Sequence, residues 1–161
     1  MLKDYPDIKL LVVGGNNLGE QKGDPFEEEL NILSREISRN VVFTGYIPYE
    51  KISYVLRLGN IGIVPSICEE AFSLSSVECM ASGLPLIVTR AGGIPEVVDE
   101  NCAVIVEKDE NLIKSISNAV VELYKNKERL KIMSEKGKLR SKLFSHLTYS
   151  QKFLVEIENM L

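Results

Sequence analysis

The sequence predicts an α/β fold, a Rossmann-like doubly wound parallel sheet, and three observations lead there. Short apolar runs alternate with amphipathic stretches along the whole chain. Several of the runs are rich in Val and Ile, as parallel strands buried on both faces require. Small or acidic residues follow the runs, where ligands sit in such sheets, beyond the carboxyl ends of the strands.

The strands are expected at Ile8–Val13, Val41–Thr44, Ile61–Val64, Leu86–Thr89 and Ala103–Val106. A helix over Pro25–Ser38 starts from Asp24-Pro25 and carries Glu27, Glu28 and Glu29 in its first turn, where acids suit the dipole. Helices over Pro48–Leu58 and Leu74–Ser82 and a short turn near Ile94–Val98 fill the next gaps. Asp109 is expected to cap a long helix to Lys125, with Leu112, Ile116, Val120 and Leu123 near one face. Segments Lys127–Lys142 and Thr148–Leu161 complete a helical end. Strands alternating with helices mean a parallel sheet. No repeat, low-complexity segment or linker divides the chain, so residues 1–161 read as one domain.

Bulk properties exclude several function classes. The 161 residues are 45% hydrophobic and 26% charged, with net charge −4, which lacks the basic footprint of a nucleic-acid binder. No run approaches a membrane span, and the N-terminus lacks the apolar core of a signal peptide, so the expected setting is cytoplasmic. Cys68, Cys79 and Cys102 have no metal-ligand spacing and read as reduced thiols in the core. His146 is the only histidine, which leaves no basis for a histidine triad or multi-histidine metal site; it reads as a helix cap or surface residue.

Chemistry concentrates between Ser66 and Glu96. Glu70 and Glu78 stand eight positions apart, the first in a loop and the second one turn inside the helix that opens with Leu74, Ser75 and Ser76. A helix N-terminus offers backbone N–H groups to an anion, and carboxylates accept from hydroxyls. Together they suit a sugar attached to a diphosphate. Each residue also has a plainer reading: Glu78 as an exposed helix glutamate, Ser73 and Ser75 as caps, Glu96 as a cap of the next helix. Val77, Met80, Ala81 and Leu84 are expected on the buried side of this helix. Gly14-Gly15 and Gly92-Gly93 can approach a ligand with bare backbone or simply serve turns. The strand exits at Gly14-Gly15, Gly45-Tyr46-Ile47 and Pro65-Ser66 are expected to converge on one rim.

The residues Val41-Val-Phe-Thr-Gly45-Tyr, Ile63-Val-Pro-Ser66, Glu70-Ala-Phe-Ser…Glu78-Cys-Met-Ala-Ser-Gly83-Leu-Pro85 and Gly92-Gly-Ile-Pro-Glu96 resemble the carboxyl-terminal domain of retaining glycosyltransferases of the GT-B fold. The match is to the large group with an E-x7-E motif, family 4 in the usual classification, and is strongest to bacterial enzymes of capsule, exopolysaccharide, lipopolysaccharide or spore-coat glycans. The resemblance implies that Glu70 bonds hydroxyls of the donor sugar and serves catalysis, with backbone of Ala71, Phe72 and Ser73 lining the sugar pocket. It implies that N–H groups of Leu74, Ser75 and Ser76 hold the diphosphate. Glu78 would accept from ribose, and backbone near Tyr46 and Ile47 would meet the base. Gly14, Gly15, Ser66, Gly92 and Gly93 are further candidates. The ligand implied is a UDP- or GDP-linked sugar, without cofactor or metal, because helix and basic side chains supply the electrostatics.

Two departures change the expectation. Ser73 stands where many members have Gly, which narrows the sugar pocket or tilts the loop. The start Met-Leu-Lys-Asp-Tyr-Pro-Asp falls near the end of the family domain's first helix, so the chain reads as a fragment without the amino-terminal acceptor domain or the first strand. That strand would lie between those at Ile8–Val13 and Ile61–Val64. Its loss predicts that these two close up or that a neighbouring chain fills the gap, by strand exchange or a homo-oligomer. Lys22 belongs to a different loop from the family's cations. The expected partners are a nucleotide sugar and, through the absent domain, a glycan or lipid-linked acceptor; peripheral membrane association of the full-length protein is left open. The rival reading is a non-catalytic Rossmann-like module for assembly or regulation. A nicotinamide dehydrogenase fails, since Gly14-Gly15-Asn16-Asn17-Leu18-Gly19 is not G-x-G-x-x-G and no acid closes a second strand.

Overall fold

All five expected strands form in the computed structural model, which describes residues 2–15 and 25–160. Asn16, Gly19, Lys22 and Asp24 lie outside the described residues. The strands are β1 (Leu10–Val12), β2 (Val41–Phe43), β3 (Gly62–Val64), β4 (Leu86–Thr89) and β5 (Ala103–Val106). The α-helices are α1 (Pro25–Ser34), α2 (Tyr49–Leu56), α3 (Leu74–Ser82), α4 (Ile94–Val97), α5 (Leu112–Lys125), α6 (Lys127–Ser141) and α7 (His146–Met160). Tighter 3₁₀ turns continue α1 over Arg35–Asn40 and α6 over Lys142–Phe144.

Every strand pair is parallel, as the alternation of runs and helices demands, but the strands divide between two sheets, β1-β2 and β3-β4-β5. The chain accordingly splits into two compact units, Met1–Val55 and Leu56–Leu161. Of the two strands expected either to close up or to have a neighbouring chain fill the gap, the one at Ile8–Val13 pairs with β2 and the one at Ile61–Val64 pairs with β4.

In the first unit Leu10, Leu11 and Val12 pair with Val41, Val42 and Phe43. Asn40 ties the strand entries together, donating to the carbonyls of Pro6 (2.8 Å) and Ile8 (2.7 Å). No described residue of this unit is buried, which corrects the expectation of strands covered on both faces. Val42 is 55% exposed. An apolar run states a preference for burial, but neighbouring elements must supply it, and two strands with two short helices do not.

The second unit holds the core. β4 is central and buried along its length. Its side chains alternate, as pleating requires. Leu86 and Val88 pack with Cys79, Met80, Ile94, Val97 and Cys102. Ile87 faces Ala119, Leu123 and Met133, with Leu112, Ile116 and Val120 alongside, the stripe expected of α5. The capping of α5 differs from expectation: Asp109 accepts from the Asn111 amide at 2.8 Å and takes the Leu112 amide on its carbonyl, forming a turn one step ahead of the helix. Ser145, rather than His146, caps α7, accepting from the Thr148 amide at 3.2 Å; His146 is an exposed first residue. Cys79 and Cys102 are buried, whereas Cys68 is exposed, because it lies in the loop after β3 rather than in an element. Burial, followed by the charge of Glu78, pushes the Cys79 thiol up to about 11.

Candidate functional site

The candidate residues of the second unit gather at the carboxyl edge of β3-β4-β5. Parallel strands with helical crossovers bring the loops after β3, β4 and β5 to one edge. The loop after β3 is fastened there by side chains. Thr89, fully buried at the end of β4, donates to the Ser66 carbonyl at 2.5 Å. The Ser66 hydroxyl donates in turn to a carboxylate oxygen of Glu70. Glu70 is therefore held at the strand ends rather than swinging from a free loop.

The Gly92-Gly93 turn packs directly on this loop. The Gly93 amide donates to the Glu70 carbonyl at 2.6 Å, and the Gly92 amide donates to the Glu69 carboxylate at 2.6 Å. A methyl group at Gly92, where φ is +50°, would overlap the backbone of Glu70; one at Gly93 would lie 2.5 Å from the Ala71 carbonyl oxygen. Only bare backbone fits this approach. Both amides are spent inside the chain, so the visible work of the pair is to seat residues 70 and 71. No side chain caps α4, and Glu96 is exposed there.

Glu69 extends the fastening. Its second oxygen pairs with Lys108 Nζ at 2.5 Å, which joins the loops after all three strands. The Lys108 hydrogen bond, then the Gly92 amide, then the lysine's charge hold this carboxyl below its ordinary value. Sequence reasoning gave Glu69, Lys108 and Thr89 no role of their own. No spacing in the chain announced the pair, because the exits of β3 and β5 meet only across β4.

Ser73 opens α3 as its N-cap, in extended conformation, accepting from the Ser76 amide at 3.4 Å and lying 2.9 Å from the Ser76 hydroxyl. Both serines are fully buried. The hydroxyl of Ser73 is thus turned into the helix. The amides of Leu74 and Ser75 have no acceptor among the described residues, as first-turn amides do not. Glu78 lies four residues from Leu74 and three from Ser75, hence on the face beneath those two amides. It is half-buried, and desolvation raises its carboxyl above the ordinary value. The opposite face of α3 is buried through Ser76, Cys79 and Met80. Ala81, expected on that side, is exposed, because the 3.6-residue period carries it round toward Leu74. At the far end Gly83 turns left-handed (φ +85°), its amide meeting the Met80 carbonyl at 2.9 Å while Leu84 meets Cys79 at 3.0 Å. Phe72 leans on Phe144, ring centres 5.7 Å apart, while Ala71 beside it is exposed.

Gly14, Gly15, Tyr46 and Ile47 belong to the first unit. Gly14 (φ +113°) bridges Gly45 (φ +63°), and its amide donates to Thr44 Oγ1 at 3.1 Å. A methyl at Gly15 would come within 3.1 Å of Gly45 backbone, so this glycine serves a close approach of the two strand exits. Tyr46 is half exposed and Ile47 partly buried. Among the described residues no cluster of His, Cys, Asp or Glu could hold a metal ion, and no helix is long and apolar enough to cross a membrane.

The sequence profile of the family described as Glycosyl transferases group 1 matches residues 1–140. The chain is 28% identical over 155 residues to the lipopolysaccharide 1,2-N-acetylglucosaminetransferase of Salmonella typhimurium, covering 95% of this chain and 40% of that protein. It is 37% identical over 109 residues to the D-inositol 3-phosphate glycosyltransferase of Corynebacterium jeikeium, covering 62% of this chain and 24% of that protein. The chain thus spans two fifths or less of these curated relatives. Among solved structures, HepE of Anabaena in complex with UDP superposes with a TM-score of 0.81 at 20% identity, covering 96% of this chain and 42% of that one. The C-terminal domain of a group 1 glycosyl transferase, LpcC of Francisella tularensis, superposes with a TM-score of 0.71 at 26% identity, covering 86% and 70%.

Proposed function

The chain belongs to the glycosyl transferases group 1 family and has the Rossmann-like fold of their carboxyl-terminal domain, and we propose that it is the donor-binding half of a retaining glycosyltransferase of the E-x7-E type. The donor is a nucleotide-diphospho-sugar, UDP- or GDP-linked. One observation carries the assignment: α3 presents two unpartnered first-turn amides, with Glu70 fastened just before them and Glu78 directly beneath.

The chemistry follows from that arrangement. The diphosphate takes the amides of Leu74 and Ser75, where the helix dipole favours negative charge; each charge-assisted contact contributes about 1.5–3 kcal/mol. Ser76 shapes the helix start from within, since its amide is already capped by Ser73. Glu78 accepts from ribose hydroxyls, and its partial burial makes an unoccupied carboxylate costly there. Glu70 accepts from hydroxyls of the transferred sugar, one oxygen being oriented by Ser66. Backbone of Ala71 and Phe72 lines the sugar, and Ser73 stays buried behind them as the helix cap. As the anomeric carbon–oxygen bond breaks, the leaving diphosphate gains charge against donors already in place, which favours the transition state over the bound donor.

The product is a glycan of a bacterial surface polysaccharide, lipopolysaccharide or spore coat, made by hexosyl transfer on the cytoplasmic side. Acceptor positioning contributes much of the rate in such transfers, and the chain spans two fifths or less of these curated relatives, so the 161 residues alone are expected to bind donor without transferring it. Calorimetric titration with UDP, GDP and their sugars tests the binding. In the protein that carries the acceptor domain, Glu70→Ala is expected to abolish most turnover, and normal turnover would refute its role. Binding of no nucleotide at all would favour the non-catalytic module instead.

A further inference from the structure

The acidic chain concentrates its positive charge on one helix. Between Lys127 and Lys142 lie seven of its 19 basic residues and only two of its 23 acidic ones, a surplus of five positive charges. The remainder holds 12 basic against 21 acidic residues. The inward face of α6 is accounted for by Met133, Gly137 and Ser141, all buried. The outward face of α6 and of the 3₁₀ turn that continues it runs through Ile132, Lys136, Leu139 and Leu143, and the three apolar members are 47%, 60% and 54% exposed. Lys131, Lys138 and Lys142 form a parallel row beside them, also exposed. Glu135 is the one acid from 131 to 143. A cleft of about 290 Å³ opens on the same face, lined by Asp99, Asn101, Lys136, Leu139, Arg140 and Leu143. Its acid is already answered, because Arg140 pairs with Asp99 at 2.8 Å.

We propose that this face of α6 docks on an anionic lipid bilayer. The site is separate from the Glu70 loop, and the inference stands whatever that loop binds. Lysines interleaved with aliphatic side chains suit a charged interface with an apolar layer behind it: the ammonium groups meet lipid phosphates while Ile132, Leu139 and Leu143 enter the acyl boundary. A nucleic acid fits less well, since the face offers no aromatic ring for stacking and a phosphate backbone would leave Ile132, Leu139 and Leu143 uncovered.

Co-sedimentation of the chain with vesicles tests this. Binding is expected to vesicles of about 30% phosphatidylglycerol in phosphatidylcholine, to be absent with phosphatidylcholine alone, and to fall at least roughly fivefold in about 0.5 M salt as charges are screened. Both K131Q/K136Q/K142Q and L139S/L143S should weaken binding at least about fivefold, with helical circular dichroism and melting unchanged. A control with the same loss of charge elsewhere, K3Q/K51Q/K114Q, should bind as before. The proposal falls if the native chain stays in solution with anionic vesicles. It falls equally if the α6 variants sediment like the native chain, if the control loses as much, or if homopolymeric RNA binds more tightly than the vesicles.

Discussion

At Gly92 the backbone turns left-handed with its α-carbon against the Glu70 main chain, and its amide is bound to Glu69. Gly92→Ala adds both a strained φ and an overlap, so a loss of about 1–3 kcal/mol in urea denaturation is expected, accompanied by weaker nucleotide binding. The Glu69 clamp responds to acid. Its folded carboxyl is depressed, so its contribution is present above the ordinary carboxylate value and is lost as pH falls through the lower folded value. Glu78 behaves in the opposite sense. Its folded carboxyl is raised by desolvation, so the penalty for its charge grows as pH rises from the ordinary value to the folded one and is fully present above the folded value. Glu78→Gln is therefore expected to raise the melting temperature at pH 7 by ~1 °C while weakening UDP binding; a lowered melting temperature with unchanged binding would contradict both halves. The positions of Glu70 before α3 and of Glu78 inside it were legible, because the two bracket a helix start. Glu69 and Lys108 were not, because their meeting depends on which strand exits become neighbours, and spacing in the chain carries no record of that.

At the scale of elements, α3 was readable to the residue, Leu74–Ser82, since serine at one end and glycine at the other are chemically unambiguous stops. The cap of α5 was misjudged because Asp109, Asn111 and the turn between them compete for the same amides. Arg140 shows a tie between elements that no sequence pattern announces. From the end of α6 it donates to the carbonyls of Val97 (2.6 Å) and Glu96 (2.9 Å) and pairs with Asp99. Burial pulls the Asp99 carboxyl upward, but the Asn101 amide and the Arg140 charge outweigh it and leave it lowered. Arg140→Met keeps much of the apolar stem and removes the donors, and is expected to cost about 1.5–3 kcal/mol in denaturant unfolding at pH 7. As pH falls through the lowered Asp99 value, native and variant stabilities should converge, because the native pair is lost there.

For the molecule as a whole, the order of strands and helices followed from apolar period and breakers, whereas the burial of β1 and β2 did not. Val42 and Phe43 carry the composition of a covered strand and remain exposed, because composition says what an element prefers and not what stands beside it. The division into two units at Val55 was likewise silent, as no glycine- or proline-rich linker marks it. Native-state hydrogen exchange should separate them: amides of β4 and β5 exchange only with global unfolding, and those of β1 and β2 exchange faster by local opening. Equal protection of the two sheets would contradict the contrast in burial.

The account rests on a diphosphate seated at the start of α3, and amide-resolved NMR of the chain titrated with UDP addresses it directly. The Leu74 and Ser75 amides are expected to shift saturably with UDP and to stay nearly still with uridine, which has the ring hydroxyls but no phosphate. Shifts confined to other parts of the chain, or equal shifts with uridine, would contradict the assignment.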